Sequence, residues 1–111
     1  MKRKGAIESY IGFSLRARKI LLGTGAVETF RGRVYLLLLC KSAAENTVKK
    51  AEKLSRRLGA ELLRVEDLAS LVHKPNCKLC ALTDESLARA AAGCIEPDAG
   101  QNNIEQTNKE Q

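Results

Sequence analysis

A short loop with two glycines is the first feature of the sequence that could do chemistry. The stretch LLGTGAVETF, residues 21–30, places Gly23 and Gly25 on either side of Thr24, directly ahead of a predicted helix. Glycine lets a backbone approach a ligand closely, and the N-terminus of a helix favours anions. The loop could therefore contact the pyrophosphate of a nucleotide, the backbone of an RNA, or no ligand.

The spacing of the glycines argues against a nucleotide-binding enzyme. The dinucleotide fingerprint is G-x-G-x-x-G after a strand, but Glu28 stands where the third glycine would be. The preceding residues, LRARKILL, are predicted to be a helix end followed by a link over residues 18–22. No phosphate-binding lysine follows as in a P-loop. The sequence therefore predicts no nucleotide cofactor. Because the single histidine, His73, lies beside no obvious nucleophile, the sequence also predicts no enzyme and no small-molecule substrate.

Cysteine and histidine residues form the second group with possible chemistry. Cys77 and Cys80 make a C-x-x-C pair, which occurs in zinc sites and in redox dithiols. Zinc needs four ligands, and the remaining candidates are Cys40, Cys94 and His73. The pair falls in a predicted strand, where residues three apart point to opposite faces. We therefore predict buried thiols that pack as small apolar side chains and hold no metal. His73 is predicted to be a surface residue at a helix end.

Alternating helices and strands are predicted to position these residues. Apolar residues at 3–4 spacing indicate helices, Gly59 is a predicted helix stop, and Asp84 is a predicted N-cap. The predicted helices span residues 6–17, 24–31, 42–59, 66–73 and 85–93, and the predicted strands 33–40, 60–65 and 77–83. This order predicts an α/β fold, a small three-layer α/β/α sandwich with a mixed, mostly buried sheet.

The charge distribution points to a polyanionic partner. Residues 1–94 carry 18 Lys and Arg against 9 Asp and Glu, a net charge of +9. Residues 95–111 carry one Lys and 4 acidic residues, a net charge of −3. The first range is predicted to be the folded domain and the second a disordered acidic tail. Nucleic acid is the commonest partner of a small basic domain, and a merely solvated basic surface is the alternative.

No stretch of the sequence predicts a membrane span or a secretion signal. The longest apolar run, VYLLLLC at residues 34–40, is far too short to cross a bilayer. The start, MKRKGAIESY, has no apolar stretch behind its charges. We expect a cytoplasmic protein with no membrane partner.

Several stretches resemble the small bacterial YlxQ-type proteins. The likeness begins in IGFSLRARKILLGTGAV, where the family pattern runs roughly L-G-L-A-x-R-A-G-K-L-x-x-G-x-x-A-V. It continues through GRVYLLLLCKSAAENTVKKAEKLSRRLGAELLRV to CALTDESLARA, and covers about residues 7–92. That family belongs to the L-seven-A-e/L-thirty-e ribosomal-protein superfamily. Its members are α/β/α sandwiches, and many of them bind kink-turn RNA.

The resemblance implies that residues 1–94 form an RNA-binding domain whose partner is ribosomal RNA or another kink-turn-containing RNA, and we expect a monomer. The glycine loop and the helix after it would enter the kink, and a second loop at about Val72–Cys77 would cover an extruded base. Basic side chains near the glycine loop in sequence would contact phosphates. The predicted RNA-binding residues are Arg16, Arg18, Lys19, Gly23, Thr24, Gly25, Ala26, Thr29, Arg33, Lys41, His73, Lys74, Pro75 and Asn76.

The glycine loop also departs from the family pattern. Strong kink-turn binders carry polar residues such as Asn and Glu where this chain has Gly25 and Ala26, and a lysine where it has Thr29. In addition, Arg18 replaces a glycine. Side-chain donors at base edges supply about 1–3 kcal/mol of discrimination per good pair. Their loss favours the alternative of a protein–protein adaptor that keeps the fold with weakened or lost kink-turn recognition. A zinc or nucleotide enzyme is the third hypothesis.

Overall fold

Five helices and four strands make up residues 4–95, the part of the 111-residue chain that the structure, a computed structural model, describes. The elements are α1 Lys4–Ala17, β1 Ile20–Leu22, α2 Thr24–Thr29, β2 Leu36–Cys40, α3 Glu45–Leu58, β3 Glu61–Val65, α4 Leu68–Val72, β4 Leu79–Leu82 and α5 Glu85–Gly93. The predicted tail, residues 95–111, lies outside the described residues apart from Ile95.

The four strands form one mixed sheet in the order β1-β4-β2-β3. Strand β4 runs antiparallel to both β1 and β2, whereas β2 and β3 are parallel. The carboxyl ends of β1, β2 and β3 therefore meet the start of β4 at one end of the sheet. We call this end, where residues 23, 41, 66 and 78 adjoin the strands, the loop end.

Helices cover both faces of the sheet, so the predicted three-layer α/β/α sandwich is confirmed. Helices α1, α4 and α5 pack on one face, and α2 and α3 pack on the other. Every residue of the central strands, Leu36–Cys40 and Leu79–Leu82, is buried. Strands buried on both faces have no polar side to alternate with, which explains the unbroken apolar run in β2.

The predicted helix stop at Gly59 and the predicted N-cap at Asp84 are both confirmed, and Asp67 is a further N-cap. Gly59 ends α3 in the left-handed conformation, with φ of 65°. The Asp84 carboxylate accepts a hydrogen bond from the N–H of Leu87 at 2.9 Å and so caps α5. The Asp67 carboxylate caps the short helix α4 in the same way. Two carboxylate caps and one left-handed glycine therefore set these boundaries.

The sequence does not predict the first strand. Residues Ile20–Leu22 form β1, whereas the sequence predicts a link over residues 18–22. Strand β1 pairs antiparallel with β4, from Ile20 opposite Leu82 to Leu22 opposite Cys80. Three residues are too few to show a strand period, and their partner lies about 60 residues away in sequence, so the pairing is decided by tertiary contacts.

Other boundaries differ by a few residues. Strand β2 begins at Leu36 rather than at residue 33, and α3 begins at Glu45 rather than at residue 42. The predicted helix 24–31 ends at Thr29, and the predicted strand 77–83 covers only Leu79–Leu82.

In the described part of the chain, no helix combines the length and apolarity needed to cross a membrane.

Candidate nucleic-acid interface

The glycine loop lies beside the loop that precedes β4. The backbone N–H of Gly23 donates a 2.7 Å hydrogen bond to the carbonyl oxygen of Leu79, extending the pairing of β1 with β4 by one residue. Because β4 begins at Leu79, the loop over residues 73–78 is brought to the same end of the sheet as residues 23–26. The two loops that the resemblance implies as RNA contacts are therefore neighbours.

Gly23 has a backbone conformation that requires glycine. Its φ of 94° and ψ of 155° lie in a region that residues with a Cβ adopt only under strain. Gly23 is also the N-cap of α2, and no side chain caps this helix from that position. The first N–H groups of a helix lack intrahelical partners. The N–H groups of Thr24, Gly25 and Ala26 form this first turn at the loop end.

Gly25 is exposed and has free space around it. A Cβ atom built on Gly25 would meet no heavy atom within 4 Å beyond its chain neighbours and its own helix backbone. One turn further along α2, the hydroxyl of Thr29 donates a 3.0 Å hydrogen bond to the carbonyl oxygen of Gly25. Thr29 is also exposed, so these two positions present one surface of the short helix.

A tight turn shapes the second loop. The backbone N–H of Cys77 donates to the carbonyl oxygen of Lys74 at 3.3 Å, which closes a four-residue turn. Pro75 occupies its second position, and Asn76 its third position with φ of 63°. Proline followed by a residue with positive φ is typical of a type II turn, and Asn tolerates that conformation well. The turn holds three consecutive exposed side chains, those of residues 74–76, in a defined arrangement.

His73 lies where the sequence places it, exposed at the end of a helix. Its φ is 56°, and the N–H of Lys74 after it donates to the carbonyl oxygen of Ala69 at 3.1 Å. This arrangement is a Schellman-type helix end, in which glycine is the usual residue. The exposed imidazole therefore points away from the core at the start of the second loop.

Three lysines contribute positive charge to the loop end. The ammonium of Lys41 lies 3.2 Å from the Glu66 carboxylate, and the ammonium of Lys78 donates to the hydroxyl of Ser42 at 2.8 Å. Lys74 is the third lysine at this end. Lys78 was not among the predicted residues, because it lies between Cys77 and Cys80, where the sequence predicts a strand. Two acidic residues, Glu66 and Asp67, lie at the same end, so the local excess of positive charge is small.

Four of the predicted basic residues lie at the opposite end of the sheet. The N–H of Thr83, directly after β4, donates to the carbonyl oxygen of Lys19 at 2.9 Å. Strand β1 then separates Lys19 from Gly23 by about 13 Å of extended chain. The residues that the structure does not bring to the glycine loop are Arg16, Arg18, Lys19 and Arg33. Closeness in sequence does not mean closeness in space here, because β1 separates Arg16, Arg18 and Lys19 from the glycine loop and α2 separates Arg33 from it.

Arg16 and Arg33 instead stack on aromatic rings. The guanidinium carbon of Arg16 lies 5.0 Å from the centre of the Phe13 ring. That of Arg33 lies 5.3 Å from the centre of the Tyr35 ring. Both distances are typical of cation–π contacts, and both occur away from the loop end.

Arg18 occupies a position suited to glycine. Its φ is 58°, and two hydrogen bonds close the end of α1 around it: Arg18 N–H to the Leu15 carbonyl at 3.3 Å, and Lys19 N–H to the Ser14 carbonyl at 2.8 Å. This is the Schellman pattern, in which the residue after the helix adopts the left-handed conformation. A glycine, which the YlxQ-type pattern carries at this position, would adopt this backbone conformation without strain.

Three thiols are buried on the same face of the sheet. Cys40, Cys77 and Cys80 all belong to the core between the sheet and α1, α4 and α5. Cys77 precedes β4 instead of lying within it, so the prediction that Cys77 and Cys80 point to opposite faces is wrong. The Cys77 thiol donates to the carbonyl oxygen of Leu79 at 3.4 Å. Burial raises the pKa of both Cys77 and Cys80.

Cys40 differs from these two thiols. Burial acts to raise its pKa, but the Ser42 hydroxyl at 3.2 Å, nearby backbone groups and the Lys78 ammonium together lower the pKa below its usual value. The prediction of buried thiols is confirmed for Cys77 and Cys80, whereas Cys40 is also buried and Cys94 is partly buried. Among the described residues, no three His, Cys, Asp or Glu side chains are grouped so that they could hold a metal ion.

Comparison with known proteins bears on the fold. No family model matches the chain. No curated protein matches it either. A solved structure of a protein of unknown function from Bacillus halodurans is similar to it, with a TM-score of 0.68 and 25% sequence identity. The likeness covers 80% of this chain and 95% of the other, and supports the α/β sandwich.

Proposed function

We propose that this protein binds structured RNA, ribosomal or kink-turn-containing, through the loop end of its sheet. The observation that carries the proposal is the hydrogen bond from Gly23 to Leu79, because it places the glycine loop beside the loop that holds the exposed residues 73–76. Those loops are the ones that the resemblance to YlxQ-type proteins implies as RNA contacts. The net charge of +9 on residues 1–94 suits a polyanionic partner. We further propose a cytoplasmic, non-enzymatic monomer.

The glycine loop would supply backbone contacts. The first turn of α2 offers N–H groups that no side chain at position 23 caps, and Gly23 and Gly25 leave the backbone open to close approach. Backbone donors of this kind suit phosphate and base-edge oxygens. They position an RNA, but they discriminate less between bases than a bidentate side chain does.

The second loop would supply side chains. His73 and Asn76 could stack on or hydrogen-bond an unstacked base, as single-stranded RNA recognition requires. Lys74 and Lys78 would contact phosphates beside it. All four lie within six residues of one another in a loop braced by the Lys74–Cys77 turn.

A protein–protein adaptor is the second candidate function. The observation that favours it is the absence of polar side chains at Gly25 and Ala26, where kink-turn readers of the family carry them. In this alternative the fold persists, and the loop end docks a protein rather than an RNA.

Binding measurements on two matched RNAs test the proposal. We expect a kink-turn RNA to bind more tightly than a plain duplex of the same length and composition, over a range of salt concentrations. Log affinity for both should fall linearly with log salt, by about 0.7–0.9 per phosphate neutralised. Equal affinity for both RNAs would contradict the proposal that the protein recognises kink-turn RNA. No binding to either would favour the adaptor.

A further inference from the structure

The exposed face of α3 carries a concentration of positive charge that the loop end does not. The helix contains five basic residues, Lys49, Lys50, Lys53, Arg56 and Arg57, against two acidic ones, Glu45 and Glu52. At about 100° per residue, the five cations fall within an arc of about 120°. From residue 49 to residue 57 they extend about 12 Å along the helix axis. They form one continuous surface, which we call the α3 basic face.

The opposite side of α3 holds the helix in the core. Ala51 and Leu54 are buried against the sheet beside Val27 of α2. The cations therefore face solvent because the apolar residues at 3–4 spacing take the other side. Long basic side chains on this face are free to meet a partner without disturbing the packing.

Little of this charge is neutralised within the protein. Lys49 lies 3.7 Å from the Glu45 carboxylate, an exposed pair of small energetic weight. Arg57 donates at 3.4 Å to the backbone carbonyl of Glu28, which cancels no charge. Lys50, Lys53 and Arg56 make no hydrogen bond or ion pair with any other residue that the structure describes.

The α3 basic face starts next to the candidate interface and leads away from it. Strand β2 ends at the loop end with Cys40, so α3 begins there at Glu45 and runs towards the opposite end of the sheet. Helix α3 also shares a layer with α2, whose first turn is part of the candidate interface. An RNA seated on the glycine loop would pass over this face if one of its stems continued along the α2 and α3 layer.

We propose that the α3 basic face contacts the phosphate backbone of a double-stranded RNA stem that extends from the loop end. The proposal rests on the proposed function in taking RNA as the polyanion. The contact is electrostatic and independent of sequence, since lysine and arginine heads on one helix face match backbone phosphates and no base-reading element lies among them. The loop end would then select the RNA structure, and α3 would add affinity in proportion to stem length.

A triple substitution tests this surface. Lys50→Gln, Lys53→Gln and Arg56→Gln remove three unpaired charges while keeping good helix formers in α3. A matched control, Ser86→Glu with Arg89→Glu, lowers the net charge by the same three units at exposed positions of α5, on the other face of the sheet. Affinity would be measured against a kink-turn RNA with a long stem, the same RNA with that stem cut back to the kink, and a plain duplex.

We expect the α3 variant to bind the long-stem RNA at least about tenfold more weakly at low salt, with the log–log salt slope reduced by about 2. Binding of the short-stem RNA should change little, and the α5 control should behave as the wild type. Unchanged affinity and slope on the long stem, or an equal loss in the α5 control, would overturn the α3 proposal. Kink-turn preference that survives such a result would leave the loop-end proposal standing. Conversely, α3-dependent duplex binding without kink preference would overturn the loop-end proposal alone, and no binding to any RNA would overturn both.

Discussion

Gly23 and Gly25 stand on either side of one threonine, yet only Gly23 has a backbone conformation that requires glycine. Gly23 has φ of 94° and ψ of 155°, whereas Gly25 lies within α2 and has open space at its Cβ position. The first glycine therefore shapes the turn from β1 into α2. The second glycine leaves the surface of α2 without a side chain at the loop end.

The same substitution should have opposite effects at these two positions. Gly23→Ala should lower the free energy of unfolding by about 1–3 kcal/mol, since alanine is strained in this region. Gly25→Ala should raise it by about 0.5–1 kcal/mol, because alanine is the better helix former. Urea unfolding of both variants checks the pair. Equal destabilisation by both would contradict the assigned conformations.

Arg18 should be replaceable by glycine with a gain in stability. Its φ of 58° costs a side-chain-bearing residue about 1–2 kcal/mol, which glycine avoids. Part of that gain is offset because glycine makes the unfolded chain more flexible. We expect Arg18→Gly to raise the free energy of unfolding by about 0.5–1 kcal/mol. Arg16→Gly, inside α1, is the control and should lower it by about 1 kcal/mol. Destabilisation by Arg18→Gly would argue against the Schellman end of α1.

Much of the fold could be predicted from local patterns. The 3–4 spacing of Ala51 and Leu54, with Gly59 as a stop, predicts α3 closely, and the apolar run ending at Cys40 predicts a central strand. Strand β1 could not be predicted this way. Its three residues become a strand through pairing with β4, which no local window contains.

The candidate site was harder to predict than the fold. The glycine loop and residues 73–76 follow from the resemblance, and the sheet register brings them together. Arg18 and Lys19 are close to Gly23 in sequence, but a strand carries the chain from one end of the sheet to the other between them. Lys78 lies at the loop end because β4 begins at the next residue, Leu79. The sequence predicts instead a strand that already begins at Cys77.

The raised pKa values of the Cys77 and Cys80 thiols should make stability fall at alkaline pH. Burial raises the pKa of Cys80 above that of the same thiol in the unfolded chain, about 8.5. Below that pH both states hold the proton and stability is unaffected. Above it the unfolded thiol ionises first, so the free energy of unfolding falls by up to about 1.4 kcal/mol per pH unit per thiol.

Urea unfolding at pH 8 and pH 10 would show this dependence. The loss between the two pH values should be about 1–2 kcal/mol smaller in Cys80→Ala than in the wild type. Because each protein is compared with itself at the two pH values, the pH-independent destabilisation caused by the smaller alanine side chain cancels. An identical loss in both proteins would mean that Cys80 does not keep its proton in the folded state.

If the loop end recognises kink-turn RNA as proposed, polar residues of the kind that strong kink-turn binders carry should strengthen that recognition. Gly25→Asn places an amide in open space at the loop end, and Thr29→Lys places a cation one turn along the same surface. We expect the double variant to gain about 1–3 kcal/mol of binding free energy for a kink-turn RNA, and much less for a plain duplex. An equal gain on both RNAs would show added charge without base reading.

One charge-reversal comparison tests most directly whether RNA binds at the loop end. Lys74→Glu with Lys78→Glu, at the loop end, and Arg18→Glu with Lys19→Glu, at the opposite end, change the net charge equally. Binding of a kink-turn RNA whose stems are cut back to the kink would be measured for both, with thermal melting as the check on folding. The first pair should weaken binding at least about tenfold and lower the salt slope by about 1.5, while the second should leave both nearly unchanged. A larger loss from the second pair would place the RNA at the other end of the sheet and contradict the proposed interface.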